Sequence, residues 1–181
     1  SHNIVMDIAP EVKIETISGA LSVEKVIRAM PNLPAQIGMG MTVFTSSDAV
    51  TRIELVMVQN LINTTGKSIY VEKESAIDAA TAISGSGPAY VFYFMDSMMK
   101  AAKNMGFSTS ESELLVSQTF KGAVDLFNKT DFSCKEWINK VCSKGGTTEA
   151  AMKSYAGTQL QDGIVDGAKA ALQRAIELGG D

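Results

Sequence analysis

Histidine is almost missing from this chain. Among 181 residues there is one, His2, and it lies in Ser1-His2-Asn3, which reads as the remnant of an expression tag. A Ser-His-Asp triad, a Cys-His pair and a histidine-based metal centre are therefore not expected. Any chemistry must run through hydroxyls, backbone amides, carboxylates or a cofactor. Cysteine is scarce too. Cys134 and Cys142 are the two present, and they flank a predicted helix two turns long, too far apart to bridge while that helix persists. A reduced, cytoplasmic compartment is the simplest expectation. No run of eighteen apolar residues is present, so no membrane-spanning helix is expected, and no signal-peptide pattern is visible. The net charge is −4 and Lys and Arg do not cluster, which argues against nucleic acid as a partner. Internal repeats and low-complexity segments are also lacking.

What is present is the composition of a globular chain, long enough for one ordinary domain or two small ones. Residues 1 to about 72 alternate strand and helix signals, the pattern of an α/β sheet. Ile4 to Ala9 is an apolar run that predicts a buried strand before Pro10. Ile14 to Leu21 predicts a helix broken at Gly19. Val26 to Met30 predicts a strand stopped by Pro31 and Pro34, and Met41 to Thr45 a third. Ser47 or Asp48 is the expected cap of a helix that carries Ile53, Met57 and Leu61 on one stripe, and Ser68 to Val71 predicts a further short strand. No Gly-x-Gly-x-x-Gly follows a first strand, and the strands are too few for a complete doubly wound domain.

From about residue 76 the period becomes helical. Asp78 to Ser84 predicts a short helix, broken by Gly85-Ser86-Gly87-Pro88. The next helix, 88 to 105, opens with Tyr90-Val91-Phe92-Tyr93-Phe94-Met95, apolar nearly all round. Such a helix is buried on more than one side, either as the core of a monomer or against a second subunit; its methionines read as gap-filling core. Ser110-Glu111-Ser112-Glu113 reads as a capping box for a helix with Val116, Phe120, Val124 and Phe127 on one face. Ser133 to Glu136 reads as another, with Trp137 and Val141 on one face. The last helix carries Leu160, Ile164, Leu172 and Ile176.

Between two of these helices lies Ser143-Lys144-Gly145-Gly146-Thr147-Thr148. The run fits two readings. One is a plain helix–loop–helix connection with an N-cap. The other is an anion site: two glycines let the backbone turn sharply, and a helix start offers free N–H groups and the positive end of a dipole, worth about 0.3–1 kcal/mol to an exposed anion.

With these elements in order, the chain resembles the C-terminal part of the pyrroline-5-carboxylate reductases. That family's Ser-Pro-Gly-Gly-Thr-Thr stands here as Ser143 to Thr148, with Lys144 in place of the proline. Its Ser-Gly-Ser-Gly-Pro-Ala-Tyr helix opening stands as Ser84 to Tyr90. Its Arg-Ala-Met-Pro-Asn-Thr-Pro stands as Arg28 to Pro34, with Leu33 in place of the threonine. The resemblance implies a partial Rossmann-type domain over residues 4–74. It implies an all-α dimerisation and substrate domain over 75–181, of the 6-phosphogluconate dehydrogenase C-terminal-like kind. It implies reduction of 1-pyrroline-5-carboxylate to L-proline with NADPH or NADH, by a homodimer or an assembly of dimers. Thr148 would bond the ring nitrogen. Gly145, Gly146, Thr147, Ser143, Val141 and Asp131 would form the substrate site. Met30, Pro31 and Asn32 would lie against the nicotinamide and Ala9 near its ribose. Because the family's Gly-rich pyrophosphate loop is not in this sequence, the segment by itself is expected to be truncated, to bind NAD(P)H poorly and to be inactive. Two other readings remain open. One is a related reductase acting on another small acid, for which Lys100 and Lys103 are available. The other is a non-enzymatic dimerisation module.

Overall fold

The computed structural model describes residues 3–180; Ser1, His2 and Asp181 lie outside the described residues. Packing divides the chain into two units. One comprises the residues up to Tyr90 with those from Asp166 onward, and the other is Val91–Val165.

The first unit is built on a four-stranded mixed sheet, β1 (Val5–Asp7), β2 (Val26–Met30), β3 (Gly40–Ser46) and β4 (Gly66–Tyr70), hydrogen-bonded in that order. β1 pairs parallel with β2 across α1 (Ile14–Leu21), and β3 pairs parallel with β4 across α2 (Arg52–Ile62). β2 and β3 run antiparallel. The side chains of β2 and β3 alternate between two apolar layers. Ile27, Ala29 and Phe44 pack with Val50, Val58 and Ile62 on one face. Val43, with Met30 and Met41, packs with Ile77 and Ala80 of α3 (Ser75–Ala80) on the other. Burial of side chains the size of Ile27 or Phe44 stabilises by about 1.5–3 kcal/mol each. β3 and β4 approach closely at their first residues, Gly40 and Gly66. A Cβ on Gly66, whose φ is +150°, would come within 2.7 Å of the Gly40 carbonyl carbon, so neither strand could start as it does with a side chain there.

Several expectations are corrected here. β1 is a half-buried edge strand of three residues, not a buried one. α1 passes unbroken through Gly19, because Gly in a helix interior costs only about 1 kcal/mol. The cap of α2 is Thr51, in a reciprocal box with Glu54, and not Ser47 or Asp48. The Ser47 hydroxyl is already committed. It donates to the Glu24 carbonyl at 2.6 Å and accepts from the Val26 N–H at 3.0 Å. The stripe of Ile53, Met57 and Leu61 is exposed, and Val58 and Ile62 face the sheet instead. The short helix expected over 78–84 is α3 followed by a π-helical turn, Thr81–Gly85.

Five helices follow: α4 (Gly87–Asn104), α5 (Thr109–Asn128), α6 (Cys134–Val141), α7 (Thr147–Gly157) and α8 (Leu160–Leu178). Pro88 stands in the first turn of α4, where its missing N–H costs nothing. No residue of α4 is buried within this single chain, and Tyr90, Val91, Phe92 and Tyr93 are exposed. The capping box of α5 is Ser108 with Glu111, two residues ahead of the Ser110–Glu113 frame expected. The Ser133–Glu136 box of α6 is present as expected. In the second unit, Phe94 of α4 meets Phe120 of α5 edge to face. α5 and α6 together enclose an apolar cleft of about 400 Å³ against Phe127, Trp137 and Val141. Cys134 and Cys142 are both free thiols. No helix among the described residues is long and apolar enough to cross a membrane.

Candidate functional site

Parallel strands place their carboxyl ends side by side, and in open α/β sheets ligands bind beyond those ends. The register Asp7↔Arg28 therefore brings the residues after β1, Ile8-Ala9-Pro10, beside those after β2, Pro31-Asn32. Ile8, Ala29, Pro31 and Leu61 line a cleft of about 270 Å³ there. Met30 is on the opposite face, half-buried, and lies over Gly85. The Asn32 side chain has both ends bonded within the protein. Its Nδ2 donates to the Ser84 carbonyl at 3.0 Å, and its Oδ1 accepts from the Met41 N–H at 2.8 Å. Asn32 thus ties the end of β2 to the start of β3 and to the π-helical turn that precedes α4. Ala9, Met30, Pro31 and Asn32 all fall in the first unit.

The remaining predicted residues, Asp131, Val141, Ser143 and Gly145 to Thr148, fall in the second. Ser143 to Gly146 forms a tight turn closed by the Gly146 N–H on the Ser143 carbonyl at 3.0 Å. Gly145 has φ +73° while Lys144 has negative φ, which is the pattern of a type II turn with Lys144 at its second position. A Cβ on Gly146 would crowd the Ser143 Oγ and come within 3.1 Å of its carbonyl oxygen, so a side chain here would require Ser143 to shift. Gly146 is the N-cap of α7, with Thr147 and Thr148 in the first turn.

The donors expected for an anion are redistributed. Gly145 gives its N–H to the Glu149 carboxylate at 2.8 Å, and Gly146 gives its N–H to Ser143. The N–H groups of Thr147 and Thr148 have no protein acceptor among the described residues. Among the described residues the free donors of this helix start are therefore the N–H groups of Thr147, Thr148 and Glu149, not those of the two glycines. Val141 lines the α5–α6 cleft, and Asp131 is exposed in the loop between those helices. Lys140 lies over the Phe132 ring at 4.4 Å, and that ring meets Trp137 edge to face.

Sequence reasoning missed Glu149 as the internal carboxylate. A Glu at the third helical position is the signal that points to it, because acidic groups favour that turn. It also missed the setting of Arg28, which is buried at 2% exposure and bonds to Glu74, Asp78 and the Pro10 carbonyl. Two of these partners are 46 and 50 residues away, and no local pattern announces such a pairing.

A mixed α/β sheet with an open strand-end cleft, followed by helices that present a Gly-Gly-Thr-Thr helix start, defines an α/β-plus-helical protein of two parts. The family described as pyrroline-5-carboxylate reductase dimerisation matches residues 74–178. Pyrroline-5-carboxylate reductase of Vibrio alginolyticus is 32% identical over 180 residues, 98% of this chain and 66% of its own length. Pyrroline-5-carboxylate reductase 2 of Bacillus subtilis is 31% identical over 176 residues, 97% of this chain and 63% of its own. The chain thus spans just under two thirds of these relatives. Among solved structures, a pyrroline-5-carboxylate reductase from Coxiella burnetii superimposes with a TM-score of 0.94 at 32% identity, over 100% of this chain and 68% of that one. The Plasmodium falciparum pyrroline carboxylate reductase, solved with NADP bound, gives 0.92 at 29% identity, over 98% of this chain and 68% of that one. The chain belongs to the pyrroline-5-carboxylate reductase family.

Proposed function

We propose that the protein carrying this chain reduces 1-pyrroline-5-carboxylate to L-proline with NADPH or NADH, a step of proline biosynthesis. The observation that carries this reading is the start of α7, where Thr147 and Thr148 offer two unshared main-chain N–H groups and two hydroxyls. Such a helix start holds a small carboxylate through the N–H groups and the dipole. The Thr148 hydroxyl bonds the ring nitrogen and orients the C=N bond. Ser143, Gly145 and Gly146 shape the turn that exposes these donors, and Val141 and Asp131 belong to the surrounding wall. Catalysis then rests on positioning and electrostatics, which suits a chain whose single histidine is His2.

Pro31 lines the strand-end cleft and Ala9 follows Ile8, which lines it too; the cleft fits the flat, largely apolar face of a nicotinamide ring. Bound there, the reduced dinucleotide supplies the hydride. Met30 and Asn32 shape this edge, Met30 through its packing on Gly85 and Asn32 through its bonds to Ser84 and Met41. Residues 4–74 act as the cofactor domain and 75–181 as the dimerisation and substrate domain, in the reduced setting of the cytoplasm. The test is an assay of the complete gene product. NAD(P)H oxidation with 1-pyrroline-5-carboxylate, and none with small hydroxy or keto acids, supports the reading; the reverse preference overturns it.

A second reading concerns assembly. The exposed Tyr90, Val91, Phe92 and Tyr93 of α4 make an apolar helix surface that a lone chain leaves in water. We read it as the seam of a homodimer, in keeping with the family description. A monodisperse monomer in light scattering contradicts this and leaves the proposed activity to stand on its own evidence.

A further inference from the structure

Among the described residues, the first unit contains one fully buried cation. The Arg28 side chain is 2% exposed, on the sheet face of Met30 and Val43 that packs against Ile77 and Ala80 of α3. Its Nη2 donates to the Pro10 carbonyl at 2.7 Å and to Asp78 Oδ1 at 3.4 Å, and its Nη1 donates to Glu74 Oε1 at 3.1 Å. The same Glu74 oxygen accepts the N–H of Ile14, the first residue of α1, at 2.8 Å. Asp7 is the register neighbour of Arg28 on β1, and its Oδ2 and the Arg28 Nε are buried without hydrogen-bond partners.

This expensive arrangement is not required by folding alone. Well-packed apolar side chains of similar volume commonly match or exceed a buried ion cluster in stability. What a guanidinium adds is direction: its fork holds several acceptors in one plane. Here the acceptors are a carboxylate that fixes the first N–H of α1 and a carbonyl one residue beyond Ala9. Arg28 itself stands two residues before Met30, on the same face of β2. One side chain therefore sets the path of the chain from Ala9 to Ile14 relative to the end of β2.

We propose that Arg28 is a positioning residue for the cofactor edge: it holds the Ala9–Pro10 segment at the height of Met30 and Pro31, so that the ends of β1 and β2 meet a nicotinamide dinucleotide as one surface. This rests on the functional reading above, and the test separates the two.

The complete gene product is compared with Arg28→Met, which keeps the volume, and Arg28→Lys, which keeps the charge but lacks the fork. Hydrogen exchange is followed over residues 9–14 together with steady-state kinetics. In Arg28→Met the Ile14 amide is expected to exchange at least about tenfold faster while β3 stays protected, as for a local opening. The KM for NAD(P)H is expected to rise about tenfold, with kcat and the KM for 1-pyrroline-5-carboxylate within about twofold of the parent. Arg28→Lys falls between the two, and it keeps the comparison available if Arg28→Met does not fold. Exchange that rises evenly through the whole sheet marks a purely structural role and overturns the proposal, as does a folded variant with the parental KM for NAD(P)H. A parent protein without NAD(P)H-dependent turnover overturns the functional reading, and the proposal with it.

Discussion

Met30 lies over Gly85 so closely that a Cβ added at Gly85 would meet the Met30 Cε at 2.8 Å. The contact joins the end of β2 to the π-helical turn ahead of α4. Gly85 has no positive φ, so the requirement is one of space and not of backbone conformation.

The Met30 terminus is flexible and can retreat, so Gly85→Ala should cost little stability, below about 1.5 kcal/mol. It should displace Met30 from the cofactor edge. The expected result is a near-parental melting temperature with a raised KM for NAD(P)H. A parental KM alongside a crystal structure showing a moved Met30 would remove Met30 from that edge.

Thr148→Ala removes a hydroxyl but keeps the N–H groups at the start of α7. In the complete enzyme it should lower kcat by more than it weakens cofactor affinity, and a loss of about 10²-fold is the scale of one lost orienting contact. Unchanged turnover in steady-state kinetics contradicts the role given to this residue.

Lys144 occupies the second position of a type II turn, where proline is favoured because its φ is preset. Lys144→Pro should raise stability by about 0.4–1 kcal/mol by narrowing the unfolded ensemble. A fall in the urea midpoint would mean that the turn needs the Lys144 N–H or another conformation.

Acid should weaken the α2 cap in a defined window. The Lys25 ammonium, bonded at 2.6 Å, and then the backbone N–H and hydroxyl of Thr51, hold the Glu54 carboxyl down from 4.5 to about 2. A carboxyl whose folded pKa is depressed contributes in full above its unfolded value. That contribution is therefore intact above about pH 4.5 and is lost as the pH falls from there toward about 2. Glu111 and Glu136, each bonded by the serine of its own capping box, are lowered for the same reason and act with the same sign. Urea midpoints measured from pH 6 to pH 2 should drop less steeply in Glu54→Gln than in the parent; parallel curves would refute the assignment.

The α/β-then-helical order, the turn at Gly145 and the helix start at Thr147 follow from local chemistry, and the sequence conveys them. What it conveys less well depends on partners distant in the chain. α2 has apolar residues on two stripes, and only the sheet decides that Val58 and Ile62 go inward while Ile53 and Leu61 do not. Ser47 is a good cap by type, but the strand pairing of β2 and β3 claims its hydroxyl first. Two Ser-x-x-Glu frames overlap before α5, and the earlier one is used. At the candidate site, the Gly-Gly-Thr-Thr run is visible in the sequence, but Glu149 had to be seen in place to show that the glycine amides are spent and the threonine amides are not.

The carboxylate that receives the first N–H of α1 comes from Glu74, sixty residues further along the chain. An eight-residue helix is too short to persist alone in water. On a ribosome, then, the segment from Ile14 to Leu21 emerges well before the group that secures it, and it stays a fluctuating coil until translation has passed the fourth strand. A chain interrupted between Tyr70 and Glu74 would carry all four strands described and still leave its first helix unfastened.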